Sequence, residues 1–201
     1  MVCMASAARA VAVSRSIEPL LYLTPTLCKA ASEAWGFNSG IAALCAITQC
    51  TPEQIRPHLG DFEQRRYTSP LIVKEALEAL CYPVFEIYRA KDNASQAPGN
   101  PKYPAHGVVR IQWAGPWTEP NAPKDKRRER THWIATRQPT FPDEPFDVFD
   151  INMVKQGGWT PWSIWVRKVA PWILKYVEGS NGDWWPTHSW EVLPPADEDK
   201  T

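Results

Sequence analysis

The rhythm of apolar and polar positions changes near residue 83. Before it, apolar side chains recur at helical spacing over Pro25–Trp35 and again from 40 to about 49. The second stretch sets Ile41, Leu44, Cys45 and Ile47 among alanines, apolar on nearly every side, which predicts a central buried helix. Two helix-start signatures follow. Thr51-Pro52-Glu53-Gln54 puts a capping hydroxyl before proline, with glutamine three residues after the cap. Ser69-Pro70 repeats that logic and opens a helix through Leu71, Val73, Leu77 and Leu80 to Cys81.

After Pro83 the pattern becomes extended, with strands expected at 84–88, 107–113, 132–136 and 146–152, separated by turn-rich stretches. Helices before strands, with strands that neighbour one another in sequence, predict an α+β domain with an antiparallel sheet. Thr160-Pro161 then starts a short helix that Pro171 should interrupt, and 187–192 supplies a last edge strand. Prolines crowd 98–123 and 186–195, marking loops or edges.

Composition narrows the class. At 201 residues and 44% hydrophobic content, the chain suffices for one proper core. The expected organisation is an N-terminal arm over 1–23, one domain over 24–193 and a disordered acidic tail over 194–201. Equal numbers of basic and acidic residues, 22 each, exclude a global pull toward nucleic acid or an anionic membrane surface. No apolar run reaches the ~20 residues that span a bilayer. Arg9 and Arg15 interrupt the apolar N-terminus, against a signal peptide. The five cysteines, at 3, 28, 45, 50 and 81, are odd in number and lack C-x-x-C spacing. Neither a disulfide framework nor a zinc site follows, no cofactor is implied, and a reducing cytoplasm fits best.

Candidate chemistry begins at GFNSGIAALC, residues 36–45. Ser39 there is read either as a helix cap or as a nucleophile at the N-terminal end of the buried helix. The positive end of a helix dipole lowers the pKa of a thiol, so a cysteine nucleophile belongs in that place; a serine gains less and needs a general base. The serine-hydrolase elbow G-x-S-x-G fails, because Phe37 and Ile41 occupy its glycine positions. Of the four histidines, His58, His106 and His188 have structural readings, whereas His132 opens an apolar strand after a polar loop. Asp150, eighteen residues on, falls in the next apolar strand and can fix the imidazole's orientation and tautomer.

In this order the residues resemble a known family. Asn38-Ser39-Gly40-Ile41-Ala42-Ala43-Leu44 resembles the C-G-P-A-A-L stretch of papain-like cysteine peptidases, especially the bacteriocin-leader-processing and related bacterial or phage branches. Thr131-His132-Trp133-Ile134 is similar to their strand-borne His-Trp, and Val148-Phe149-Asp150 to their orienting acid. The resemblance implies a papain-like α+β fold, a peptide or protein substrate, and a triad of Ser39, His132 and Asp150. The chain departs from the family at three points: Ser39 stands at the cysteine position, Ile41 where proline is frequent, and Glu33 where a glutamine often donates to the oxyanion. Asn38 is the alternative oxyanion donor.

Three readings of Ser39 stay open: replacement of a native cysteine, a natural pseudo-peptidase that binds without cutting, and a serine nucleophile. Trp35, Trp113 and Trp133 are the candidate cleft residues. The basic run Lys124-Asp125-Lys126-Arg127-Arg128-Glu129-Arg130 is read first as a solvated loop; the functional alternative is that, with Trp113-Ala114-Gly115-Pro116-Trp117, it forms one wall of the entrance and attracts an acidic protein or phosphate-bearing ligand. The tryptophans from Trp159 to Trp190 are expected mainly to fill the core, a sugar-binding role requiring exposed coplanar indoles.

Overall fold

Local signals decide most helix starts. The computed structural model describes residues 22–90, 102–123 and 130–195. Most of the expected N-terminal arm, the basic run 124–129 and most of the tail lie outside the described residues. Helix α1 (Pro25–Trp35) begins where the Thr24 hydroxyl accepts from the Leu27 amide, and stops at Gly36 in the left-handed region, φ +86°. In α3 (Pro52–Ile55), Thr51 and Gln54 exchange side-chain and backbone hydrogen bonds as the capping box requires. Short α4 (Phe62–Arg65) follows, then α5 (Pro70–Ala79), capped by Ser69. The last helix ends before the expected Cys81, which adopts φ +62°.

Helix α2 (Ser39–Thr48) is the centre of the first core, with every residue from Gly40 to Thr48 buried. Its N-terminal turn meets the 67–69 loop so closely that a Cβ on Gly40 would lie 2.4 Å from Thr68 Cγ2. Only glycine fits there without displacing Thr68.

Six strands form one antiparallel sheet, β1 (Val84–Arg89), β2 (Gly107–Trp113), β3 (Thr131–Arg137), β4 (Asp147–Phe149), β5 (Trp159–Pro161) and β6 (Trp184–Val192), in the order β1-β6-β2-β3-β4-β5. The α+β expectation therefore holds, with one correction in topology. The last strand is not an edge: β6 inserts between β1 and β2. Proline argues for an edge because it lacks a ladder donor, but here the β2–β6 register shifts between Arg110 and Ile111, so Pro186 sits at a bulge.

Strand β2 is buried along its whole length because both sheet faces are covered. Val108, Trp133, Ala135 and Trp190 pack with α1, α2 and α5 on one face. Val109, Ile111, Trp113, Ile134 and Val148 pack on the other with a helical segment near the C-terminus. That segment runs as α6 (Trp162–Ile164), a π-helical turn over Trp165–Val169, and α7 (Ala170–Leu174). It starts later than expected, because Thr160 and Pro161 belong to edge strand β5. Pro171 does not interrupt it; it falls in the first turn of α7, after the widened turn, where a missing amide costs little.

Candidate active site

Strand β4 is short, and its early end creates the site. Ala135 opposite Phe149 is the β3–β4 pair nearest that end. Asp150 follows one residue beyond the strand, where it caps the 3₁₀ segment Ile151–Gln156. This corrects its expected place inside a strand. Its Oδ1 accepts from the amide and the side-chain Nδ2 of Asn152, both at 2.9 Å. Oδ2 accepts from Trp165 Nε1 at 2.9 Å and lies 3.0 Å from His132 Nε2. All four contacts are made by a carboxylate with no solvent exposure. Burial pushes that carboxyl up, but the His132 charge and hydrogen bond, then Trp165 and Asn152, outweigh it and hold Asp150 below its ordinary value.

His132 lies on β3 opposite Ile111 and is itself buried. Trp113 stacks on its ring, centroids 5.5 Å apart and planes at 25°. With Asp150 ionised, Nε2 donates to it in either charge state of the ring, so in the neutral imidazole Nδ1 is the nitrogen without a proton. Both the orientation and the tautomer of the imidazole are thereby set.

Beyond the β4 pairing, the edge of β3 is open, and α2 delivers Ser39 to it. The Trp133 amide donates to Ser39 Oγ at 3.3 Å, placing the hydroxyl beside the residue that follows His132. Ser39 is the first residue of α2 rather than its cap. The cap is Asn38, whose Oδ1 accepts from the Gly40 amide at 3.0 Å and from Thr68 Oγ1 at 2.7 Å. The capping reading of Ser39 is thus overturned, and its hydroxyl proton has no acceptor among the described residues. Because Gly40 supplies a backbone donor, the Asn38 carbonyl must face it, which leaves the Nδ2 end to donate elsewhere.

The three candidate cleft tryptophans are all buried. Trp35 is enclosed edge-on by Phe37 and Phe62, with Nε1 donating to Glu53 at 2.9 Å. Trp133 packs in the α2 core and donates Nε1 to the Thr68 carbonyl at 3.1 Å. Neither offers a face to a ligand, since the core needs both rings. Trp113 instead covers His132, and its carbonyl accepts from Trp117 Nε1 at 2.7 Å. Glu33 is exposed on α1, with Lys29 3.8 Å away.

Trp165 and Thr68 are the site-supporting residues that sequence reasoning missed. Trp162 and Trp165 do share a face as their spacing predicts, stacked at 5.7 Å with planes 14° apart, and Trp184 meets both rings edge-on. Trp172 and Tyr176 are exposed, but their planes cross at 66°, so they make no flat platform for a sugar. Cys28, Cys45, Cys50 and Cys81 are free thiols. Among the described residues there is no metal-binding cluster and no helix long and apolar enough to cross a membrane. Comparisons with protein-family models, curated proteins and solved structures gave no match to this chain.

Proposed function

We propose that the chain is a papain-like, cysteine-peptidase-type hydrolase of peptide or isopeptide bonds in which serine occupies the nucleophile position. The observation that carries this reading is the buried Asp150–His132 pair, set one residue from the amide that holds Ser39 at the start of α2. In the reaction, His132 Nδ1 takes the Ser39 proton as the oxygen attacks the carbonyl and returns it to the leaving amine as the C–N bond breaks; a water deprotonated by the same nitrogen then attacks the acyl-Ser39 ester, releasing the carboxylic acid and returning the proton to Ser39. Asp150 holds the ring and stabilises its protonated form. The Ser39 amide, in the first turn of α2, and the Asn38 Nδ2 group donate to the oxyanion. The substrate is a peptide or protein, and the free thiols suit a reducing compartment such as the cytoplasm.

Serine makes this a slow catalyst, because its hydroxyl ionises far above neutral pH where a thiol beside an imidazole forms an ion pair. A second reading is a protein-binding module using the same cleft without turnover. It is favoured by the Trp133 hydrogen bond, which engages a lone pair of Ser39 Oγ that attack would use. Mass spectrometry of peptide libraries incubated with the protein and with Ser39→Cys separates the two. Cleavage by the cysteine variant, abolished by adding His132→Ala, supports the hydrolase; binding without turnover by either form supports the module.

A further inference from the structure

On the sheet face that carries α2 and α5, a cavity of about 500 Å³ opens between the start of α5 and strands β1, β6 and β2. Its walls include Lys74, Arg89, Arg110 and His188, and none of the residues lining it is acidic. Register explains the concentration. Arg89 on β1 lies directly opposite His188 on β6, which lies directly opposite Arg110 on β2, so three basic side chains share one row across three neighbouring strands. Like charges placed opposite one another destabilise a sheet. Burial, then Arg110 and Arg89, drive the His188 imidazole down to about 4, with Glu86 opposing, so the row avoids a third charge by keeping His188 neutral.

The remaining walls suit an anion as well. Arg110 is buried, with Nη1 donating to Thr187 Oγ1 at 3.0 Å and Nη2 to the Tyr67 hydroxyl at 2.8 Å, which fixes the plane of its guanidinium. Arg89 is exposed and pairs with Glu86 on its own strand; Lys74 is half-exposed and pairs with Glu78 on α5. Both are surface pairs of the kind that exchange readily for a stronger counter-charge.

We propose that this cavity binds a compact organic dianion, a phosphate monoester or dicarboxylate, held between Lys74, Arg89 and Arg110. The site uses none of Ser39, His132 or Asp150, so it stands or falls apart from the hydrolase reading. Titration of the protein with inorganic phosphate and with succinate, at ionic strength held constant with sodium chloride, is followed by calorimetry and by NMR of the His188 ring. Saturable binding is expected, with the His188 midpoint rising by about one pH unit as a negative charge arrives beside it, Glu86, Arg89, Arg110 and Lys74 being its charged neighbours. Lys74→Gln with Arg89→Gln, both exposed and so tolerated by the fold, weakens binding by about tenfold or more. Preference for phosphate assigns a phosphoryl ligand and preference for succinate a carboxylate. A His188 response matched by sodium chloride alone, a double variant that binds as the parent does, or binding of acidic peptides with neither small anion bound would each overturn the proposal.

Discussion

Asp150 accepts hydrogen bonds on both oxygens while wholly buried, and this makes its ionisation a term in the stability of the fold. Its folded pKa lies below the unfolded value of about 3.9, so the stabilisation is fully present above that pH. It is lost as pH falls through the folded pKa. Trp165→Phe removes one donor and should cost about 1–2 kcal/mol in urea unfolding, with the acid limb of the stability curve moved to higher pH. Asp150→Ala leaves His132 and Trp165 facing an empty site and should cost about 3–5 kcal/mol, read by the same measurement. In a Ser39→Cys background, His132→Ala should lower peptide cleavage about 10²–10⁴-fold in initial rates, and because it leaves the buried Asp150 carboxylate without its main partner it should also cost about 3–5 kcal/mol in urea unfolding. His132 stood out in the sequence as one of four histidines, at the head of an apolar run that does form a strand, whereas Asp150 was expected inside a strand and instead caps the 3₁₀ segment just beyond one. The cap was assigned to the wrong neighbour because serine and asparagine cap equally well and stand side by side. The burial of Trp165 beside Trp162 was legible from their spacing, but its bond to Asp150 was not: that bond is made from a π-helical turn, and nothing in local periodicity announces the turn.

Helix starts are the most readable elements here, since the signal is a side chain and its partner three residues on. Thr51 and Ser69 act where they were expected to, and Thr24, which precedes Pro25 in the same way, caps α1. Ser69→Ala should therefore cost about 1 kcal/mol in thermal or urea unfolding, a direct check that α5 depends on its cap. At α2, propensity and packing oppose each other. Alanine is a better helix former than glycine by about 1 kcal/mol, yet a Cβ at position 40 meets Thr68 at 2.4 Å. Gly40→Ala should be destabilising by about 1–3 kcal/mol, and its disturbance of the Thr68–Asn38 bond should broaden amide signals at the start of α2 in NMR spectra. Strand placement was less readable than strand existence. Every expected strand exists, but Pro186 reads as an edge residue, and the bulge that admits it into the middle of the sheet is a property of the β2–β6 pair, strands far apart in sequence. Edge strand β5 escaped notice because three residues carry too little alternation to register.

At the scale of the whole molecule, both faces of the sheet are covered by helices that come from opposite ends of the described chain. Sequence order suggested helices followed by strands, which is correct, but it could not reveal that α6, the π turn and α7 cover the second face. Strand β6 joins the two halves, pairing with β1 on one side and β2 on the other. A chain ending at residue 183 should lose cooperative unfolding altogether, seen as a missing transition in circular dichroism on heating, because β1 would have no strand beside it.

The same strand has a consequence during synthesis. Val84 pairs with Val192, 108 positions later in the chain (192 minus 84). While the ribosome is still adding those residues, β1 and β2 present bare facing edges that only β6 can fill. Through that interval the nascent polypeptide must rely on α1, α2 and α5 for what compactness it has, and its half-built sheet is a surface that molecular chaperones would be expected to hold. Strands β2 to β5 can pair in turn as they emerge, but β1 finds its only partner, and β2 its second, when nearly the last described stretch is made, so the sheet is completed late.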